Sequence, residues 1–280
     1  ATGNFKIFYP ENNGREGLFI NLQAISLAVF GNAPWALRVV SALLGTLTIL
    51  GMYLLVWELI KSRAVGLLTA FFLAASYWHI NFSRIGFRAI LVPFFAAFAM
   101  YFLLKGLRRG NTLNLVLAGI FAGLGFHTYI AFRFMPLVFA VPIFWYLWRK
   151  RETVSACVPC AAALFIFMAF VVALPLGVYF LQHPDDFLGR SGQVSIFSAD
   201  APLKEFGKSS LSTVAMLFIK GDCNWRHNFN CKPQLDPLVA AFFIAGAVAL
   251  TMRSGLIGGI LFVSLVAMSL PAILTREGLP

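Results

Sequence analysis

Long apolar segments that recur along the chain are the feature that most limits its fold. Eight stretches carry almost no charge and approach the ~20 residues that a helix needs to cross a bilayer. Backbone groups inside lipid must be hydrogen-bonded within their own segment, so each stretch is predicted to be a helix. The candidate spans are Trp35–Ile60, Ala64–Ile80, Ala89–Leu104, Leu113–Ile130, Met135–Trp148, Val154–Leu181, Pro237–Met252 and Leu256–Leu274. The sequence therefore predicts an all-α, polytopic transmembrane helical bundle.

The composition agrees with this class of protein. Of the 280 residues, 60% are hydrophobic and 12% are charged, whereas a soluble domain carries about 25% charged residues. No repeat of fixed period is visible, so residues 1–280 are interpreted as a single membrane domain. Residue 1 is not Met and no signal segment follows it, so we expect an internal piece of a longer protein that lacks at least one preceding helix.

Short basic connections predict the orientation of this bundle. They are Lys61–Arg63, Lys105–Gly110, Arg149–Glu152 and Met252–Ser254, and all fall on one face of the predicted spans. By the positive-inside rule that face is cytoplasmic. The first loop, residues 1–34, and the long loop, residues 182–236, are then extracytoplasmic. The net charge of +11 is thus partly a topology signal, and without a basic soluble domain it does not indicate nucleic-acid binding.

The first outer loop concentrates polar groups next to the point where the chain enters the membrane. The stretch FYPENNGREGLF, Phe8–Phe19, places Glu11, Asn12, Arg15 and Glu16 within six positions. We interpret Glu11 and Glu16 as candidate catalytic carboxylates, with Asn12 and Arg15 as candidate substrate-binding residues. The alternative is that these side chains are an ordinary solvated loop.

Cationic side chains in two further outer loops suggest an anion site. HINFSRIGFR contains His79, Arg84 and Arg88, and YIAFR contains Arg133. Guanidinium groups match phosphate oxygens bidentately, so the three arginines could hold a lipid-borne phosphate, with His79 as a further candidate substrate-binding residue on the same face. Arg84 and Arg88 are four positions apart and would share a face if this segment were helical. The alternative is that the arginines extend towards lipid headgroups at helix ends.

The long loop ends in a polar and aromatic segment, GDCNWRHNFNCKPQLDP. Five side chains within it combine an aromatic ring with hydrogen-bonding groups that could contact a sugar, namely Asp222, Trp225, Arg226, His227 and Asn228. A well-packed surface turn would show the same residues. Cys223 and Cys231 flank this turn and could form a disulfide in an oxidising compartment.

The remaining cysteines and the histidines carry weaker signals. Cys157 and Cys160 form a C-x-x-C motif, which is compatible with redox chemistry or zinc binding. Because they fall inside a predicted apolar span, we expect buried, inert thiols. The four histidines lack metal-ligand spacing, so no metal site is predicted. The sequence indicates no particular cofactor, and the use of a divalent metal ion stays an alternative.

Several of these motifs together resemble a known family. They are the acidic first loop, PWALRVVSALLGTLTILGMYLLVWEL, SYWHINFSRIGFRAILVP and GFHTYIAFR. In this order they resemble the C-type superfamily of multi-spanning glycosyltransferases that use lipid-phosphate sugars. The chain is similar to bacterial relatives of the dolichyl-phosphate-mannose protein mannosyltransferases and of the lipid A aminoarabinose transferase. The loop GDCNWRHNFNCKPQLDPL also looks like one in bacterial members.

The resemblance implies a reaction and a location. A sugar would move from a polyprenyl-phosphate donor to a hydroxyl of a protein, lipid or glycan acceptor, on the extracytoplasmic face of a bacterial inner membrane. Family members carry an Asp-Glu pair in the first outer loop, and the matching position here reads Glu11-Asn12, so Glu16 could supply the second carboxylate. Basic residues on the outer rim would hold the donor phosphate. The alternative function is a transporter or flippase for a lipid-linked or anionic solute.

Overall fold

The computed structural model describes residues 5–11, 14–148, 157–187, 196–198, 201–225, 227–253 and 255–274. The chain forms two compact units, Ala1–Gln182 and His183–Pro280. The first unit begins with a hairpin of β1 (Phe8–Tyr9) and β2 (Arg15–Glu16). Eight helices follow: α1 Leu18–Phe30, α2 Pro34–Ile60, α3 Arg63–Ala75, α4 Tyr77–Arg84, α5 Leu91–Arg109, α6 Thr112–Gly125, α7 Met135–Trp148 and α8 Val158–Gln182. Short 3₁₀ turns at Arg88–Ile90 and Ile130–Phe134 lead into α5 and α7.

The described part of the second unit contains a helical stretch at residues 184–187, three longer helices and one short turn. The three longer helices are α9 Pro202–Phe218, α10 Pro237–Arg253 and α11 Gly255–Ile273, and the turn is a 3₁₀ turn at Ile196–Ser198. This turn is joined to the end of α11 by a hydrogen bond from the Ile196 amide to the Leu274 carbonyl. α9 packs against both α10 and α11.

The predicted all-α membrane fold is confirmed. Five segments are long and apolar enough to cross a membrane: Pro34–Ile60, Arg88–Arg109, Ile130–Trp148, Val158–Gln182 and Gly255–Ile273. A sixth span is possible if the bent pair α3 and α4 counts as one. α6 and Pro237–Ala249 are apolar but shorter, so the count of eight spans stays a prediction. Large apolar side chains are exposed on the outer surface of the first unit, as lipid contact requires, including Leu67, Phe71, Phe144 and Phe167.

Two boundaries differ from the sequence prediction for local reasons. Ser76 takes an extended conformation, so the predicted span Ala64–Ile80 breaks into α3 and α4, which meet at an angle of 59°. The segment Lys105–Gly110 was predicted as a connection, but α5 continues through it to Arg109. Arg108 and Arg109 lie in the last turn, where cations favour the negative end of the helix dipole, and Gly110 ends the helix in a left-handed conformation.

α5 is the centre of the first unit. It packs against α2, α6, α7 and α8, and its buried side chains include Leu91, Leu103, Leu104 and Leu107. Phe121 of α6 lies between several α5 rings, with centroid distances of 5.3 to 5.9 Å to four of them, Phe94, Phe95, Phe98 and Phe102. Such aromatic contacts add to area burial, so they help to fix α6 against α5.

A buried carboxylate joins three helices at the end of α5. Glu58 of α2 accepts hydrogen bonds from Lys61 Nζ at 2.5 Å and from Arg108 at 3.0 Å. Arg108 also donates to the Glu58 carbonyl and, through Nε, to the Tyr146 hydroxyl of α7 at 2.9 Å. This network, which links α2, α5 and α7, was not predicted from the sequence.

Small residues allow α6 and α8 to approach closely. A Cβ at Gly119 would lie 2.8 Å from the Phe165 carbonyl, and one at Gly123 would lie 2.7 Å from the Ala169 carbonyl. Close backbone approach at glycine is typical of helix pairs in membranes. His127 supports the same contact, since its Nε2 lies 2.9 Å from the Val172 carbonyl.

The double substitution Gly119→Ala/Gly123→Ala is expected to lower the apparent melting temperature of the purified protein in detergent. Each added methyl meets backbone, and overpacking costs about 1–3 kcal/mol, which exceeds the gain of up to about 1 kcal/mol in helix propensity. Gly177→Ala in α8 is the matched control, because nothing lies within 4 Å of a Cβ there. Equal melting temperatures for the double variant and the control would contradict tight α6–α8 packing.

Candidate active site

Strand register in the hairpin decides which side chains of the first loop point into the protein. Phe8 pairs with Glu16 and Tyr9 pairs with Arg15, and paired residues in antiparallel strands point to the same face. Phe8 and Glu16 face inwards and are 5% and 4% exposed, whereas Arg15 is exposed. The register therefore brings one of the two candidate carboxylates into the protein.

Contacts on both sides hold the hairpin in place. The Phe8 ring packs on Tyr179 and Phe180 of α8, with both centroid distances at 5.2 Å. The Tyr9 hydroxyl donates to Asn21 of α1 at 2.9 Å. Gly17 donates its amide to the Ile7 carbonyl, and a Cβ at Gly17 would collide with the carbonyls of Lys6 and Ile7, just before β1. The hairpin is thus fixed to α1 and α8.

Glu16 is part of a charged cluster with two of the predicted arginines. Arg88 donates to Glu16 Oε2 at 2.8 Å, and the two side chains are only 11% and 5% exposed. Arg133 interacts electrostatically with the same carboxylate. The sequence separation between Glu16 and Arg88 is 72 residues, so only the folded chain brings them together. Glu16 and Arg88 are therefore in direct contact, and Arg133 is within electrostatic range of the same carboxylate.

Aromatic rings form the walls of this cluster. The Arg88 guanidinium lies 5.1 Å from the centre of the Tyr129 ring, and that of Arg133 lies 5.2 Å from the centre of Phe180. Cation–π contacts of this kind are worth about 0.5–2 kcal/mol, more where water is excluded. Neither Tyr129 nor Phe180 is predicted as a site residue from the sequence, where the general abundance of aromatic residues in these loops is the signal for them.

The other first-loop candidates lie apart from the buried charges. Glu11 is at the tip of the hairpin, 66% exposed, and its Oε1 lies 3.6 Å from Lys6 Nζ. Arg15 is on the outer face of the hairpin. Asn12 falls outside the described residues. Glu11 and Glu16 are therefore in different environments, one solvated and one buried beside guanidinium groups.

His79 and Arg84 occupy α4 rather than a loop. The His79 Nε2 atom lies 2.9 Å from the Gly45 carbonyl of α2, so this side chain links α4 to α2. Arg84 is exposed at the last residue of α4, and Gly86 then reverses the chain with a φ of +72°. Because this turn separates the two arginines, Arg84 and Arg88 do not share the face of one helix.

In the second unit, the segment Gly221–Asp236 forms a closed turn. The structure joins Cys223 to Cys231 by a disulfide. Asp222 is buried inside the turn, where it accepts from the Asn224 amide at 2.7 Å and lies 3.2 Å from His227 Nδ1. Trp225 is 83% exposed on the surface of the turn. Arg226 falls outside the described residues. Asp222 and His227 thus interact inside the turn while Trp225 faces outwards.

The expectation of buried thiols at the C-x-x-C motif is wrong. Cys157 and Cys160 are both exposed, and the structure joins them by a disulfide. The reason is their position at the N-terminus of α8, which begins at Val158. The predicted span, Val154–Leu181, placed them in its interior. No group of three or more His, Cys, Asp or Glu side chains within the described ranges is arranged to hold a metal ion.

More than half of the chain is similar to a known protein family. Residues 18–176, more than half of the chain, match the family model described as "Dolichyl-phosphate-mannose-protein mannosyltransferase". The chain belongs to this family. The family expected from the sequence motifs is thereby confirmed. His79, Arg84, Arg88 and Arg133 lie within the matched segment, whereas Glu11 and Glu16 precede it.

One curated relative supports the same assignment. "Putative mannosyltransferase YkcB" of Bacillus subtilis (strain 168) is 27% identical over 155 residues, which cover 55% of this chain and 21% of that protein. The chain thus spans about a fifth of the length of the relative it matches. No solved structure gives a significant match. Family membership and the apolar helices together support a membrane glycosyltransferase.

The substitution Arg88→Met is expected to destabilise the protein by about 3–5 kcal/mol, because it removes the arginine that hydrogen-bonds the buried Glu16 carboxylate. The measurement is the apparent melting temperature in detergent. The double variant Glu16→Gln/Arg88→Met should recover part of the loss, since the buried carboxylate is then neutral. Arg109→Met, at an exposed position, is the control. A double variant no more stable than Arg88→Met alone would contradict direct coupling of the two charges.

Proposed function

We propose that this chain carries the active site of a membrane glycosyltransferase that moves a sugar from a polyprenyl-phosphate donor to an acceptor hydroxyl. The observation that carries the proposal is the Glu16–Arg88–Arg133 cluster, in which a family member brings two guanidinium groups and one carboxylate together beside the end of a membrane helix. The family description and the name of the relative suggest mannose as the first sugar to test.

The chemistry of the cluster suits a phosphate. Arg88 and Arg133 each present a guanidinium group, and such groups match phosphate oxygens bidentately. Arg88 is held at 2.8 Å by Glu16 and rests against Tyr129, which keeps its guanidinium in a fixed orientation. Fixed donors aimed at the leaving phosphate stabilise the charge that develops on it as the bond to the sugar breaks. We assign phosphate binding to Arg88 and Arg133 together.

The roles of the two first-loop carboxylates follow from their surroundings. Glu16 is buried and engaged by Arg88, so we assign it to positioning that guanidinium. Glu11 is largely exposed at the hairpin tip, so an acceptor hydroxyl that arrives from outside can approach this carboxylate and pass its proton to it. We therefore assign Glu11 as the general base.

The donor sugar is already activated by the phosphate on its anomeric carbon, so the transfer reaction needs no nucleotide. The acceptor oxygen attacks the anomeric carbon from the side opposite the phosphate, its proton passes to Glu11, and the carbon–oxygen bond to the phosphate breaks. The phosphate leaves with the bonding electron pair, and its new charge is balanced by Arg88 and Arg133. Attack from the opposite side inverts the anomeric centre.

The turn in the second unit is proposed as a recognition element for the sugar or its acceptor. Its backbone is fixed by the disulfide Cys223–Cys231 and by hydrogen bonds from Asn228 Nδ2 to the carbonyls of Asp222 and Lys232 at 2.7 and 2.8 Å. A fixed turn presents the exposed Trp225 ring without ordering cost, and such a ring can stack on a sugar. Asp222 would then act by holding His227 rather than by direct contact.

The location of the reaction is also a proposal. The basic residues Lys61, Arg63, Arg108 and Arg109 gather at one end of α2, α3 and α5, where α2 and α5 end and α3 begins. The positive-inside rule favours a cytoplasmic position for this end. Arg88 lies at the opposite end of α5, so we propose an extracytoplasmic active site, in the inner membrane if the source is bacterial.

The substitution Glu11→Gln is expected to reduce kcat by about 10²–10⁴-fold, the usual contribution of a general base, with an unchanged melting temperature because Glu11 is exposed. Glu16→Gln should lower both activity and melting temperature, because Arg88 loses its counter-ion. The assay follows transfer of radiolabelled mannose from polyprenyl phosphate by the full-length protein. Full activity in both variants would reject the assignment of either carboxylate.

The substitution Arg133→Met is expected to reduce the amount of polyprenyl phosphate that co-purifies with the full-length protein, as measured by lipid mass spectrometry. Arg133→Lys should retain part of it, because lysine keeps the charge but not the bidentate geometry. Arg109→Met, at the other end of α5, is the control. Full lipid retention in Arg133→Met would contradict the phosphate assignment. Retention of lipid without any sugar transfer by the unaltered protein would instead favour a transporter or flippase.

A further inference from the structure

We propose that Cys157 and Cys160 form a redox-active pair that exchanges electrons with a dithiol–disulfide couple of the compartment it faces. This site is separate from the charged cluster and does not depend on the proposed transfer reaction. The motif reads Cys157-Val158-Pro159-Cys160, and α8 begins at Val158. Cys157 therefore caps the helix, and Cys160 lies in its first turn.

The two sulfur atoms are exposed at the end of a helix that is longer than a bilayer core is thick. The 25 residues of α8 extend about 37 Å, against about 30 Å of hydrocarbon, so its first turn can reach beyond the lipid. Val158, Ala161 and Phe165 are buried against neighbouring helices, whereas Cys157 and Cys160 are exposed. Residues three apart on a helix share a face, so both cysteines fall on the side away from this packing. Accessibility is the first requirement for thiol–disulfide exchange, since an external thiolate must reach one of the sulfur atoms.

The helix N-terminus supplies the second requirement. The first amides of a helix have no partner within it, and the positive end of the helix dipole stabilises a thiolate at this position. The Cys160 amide donates to the Cys157 sulfur at 3.3 Å, so Cys157 is the sulfur that this end of α8 favours as a thiolate. A stabilised thiolate is also the better leaving group when the disulfide is reduced.

A purely structural role explains the pair less well. The disulfide Cys157–Cys160 has a sequence separation of 3 and joins residues of one helical turn, whereas Cys223–Cys231 has a separation of 8 and closes a loop. Loop closure by a disulfide stabilises more as the loop grows. The start of α8 is already fixed by the burial of Val158 and Ala161, so opening the shorter bridge releases no separate element.

The reaction is a two-electron exchange. A thiolate of an external dithiol attacks one protein sulfur, the Cys157–Cys160 bond breaks, and a mixed disulfide forms. The second thiol of the donor then displaces the protein sulfur. The protein gains two electrons and two protons and becomes a dithiol, and the donor becomes a disulfide. The reverse sequence restores the protein disulfide.

The test uses the full-length protein in detergent, equilibrated with mixtures of oxidised and reduced dithiothreitol. Free thiols are trapped with N-ethylmaleimide and located by peptide mass spectrometry. Cys157–Cys160 should open at an oxidised-to-reduced ratio at least about tenfold higher than Cys223–Cys231 in the same molecule, because its leaving thiolate is stabilised. Opening of both disulfides at the same ratio, or a motif never found as a disulfide, would overturn the proposal.

Single variants test the role of the helix terminus. At pH 7, Cys157 in the variant Cys160→Ser should react with N-ethylmaleimide at least about tenfold faster than Cys160 in the variant Cys157→Ser. This is the difference expected for a sulfur at a helix N-terminus. Equal rates would overturn the assignment of Cys157 as the reactive sulfur. If the variants fail to fold, the redox titration of the unaltered chain decides the proposal.

Discussion

The need to neutralise charge at both ends of a membrane helix organises the first unit. α5 carries Arg88 just before its start and Arg108 near its end, 20 positions apart by their residue numbers. At 1.5 Å per residue this separation is about 30 Å, which is the thickness of a bilayer core. Each arginine binds a buried carboxylate, Glu16 at one end and Glu58 at the other. Buried charges are tolerated only when they are paired, so these two contacts determine which segments can meet the ends of α5.

The two charged clusters nevertheless differ in what they can do. At the end of α5, Glu58 is bound by Arg108 and Lys61, and Arg108 also binds Tyr146, so the network closes on helices of the protein itself. At the start of α5, the carboxylate comes from a hairpin, and two arginines approach it from different turns. A site built from a hairpin and two turns can open to a ligand more readily than one built from three helix ends. This contrast favours the Glu16 cluster as the reactive one.

Much of this arrangement could be predicted from the sequence, and the limits have physical causes. Apolar runs predicted the helices, because burial in lipid requires them, and arginines and acids in the outer loops indicated Glu16, Arg88 and Arg133 as candidate site residues. Which carboxylate would be buried was not predictable, since it depends on strand register in a hairpin of only two paired residues per strand. A shift of one residue would exchange the inward and outward faces. The contacts of Arg88 and Arg133 with Tyr129 and Phe180 depend on tertiary packing that no local pattern encodes.

The two cysteine pairs also show where prediction from composition succeeds and where it fails. Cys223 and Cys231 lie in a polar segment, so composition pointed to a loop in which a disulfide could form. Cys157 and Cys160 lie beside a long apolar run, and a predicted span that includes them hides the fact that they lie at the N-terminus of the helix. A helix has two different ends, and only its N-terminus offers amides to a sulfur. Where a span begins therefore decides whether its cysteines are inert packing groups or reactive ones, and that starting residue is the least predictable feature of any helix.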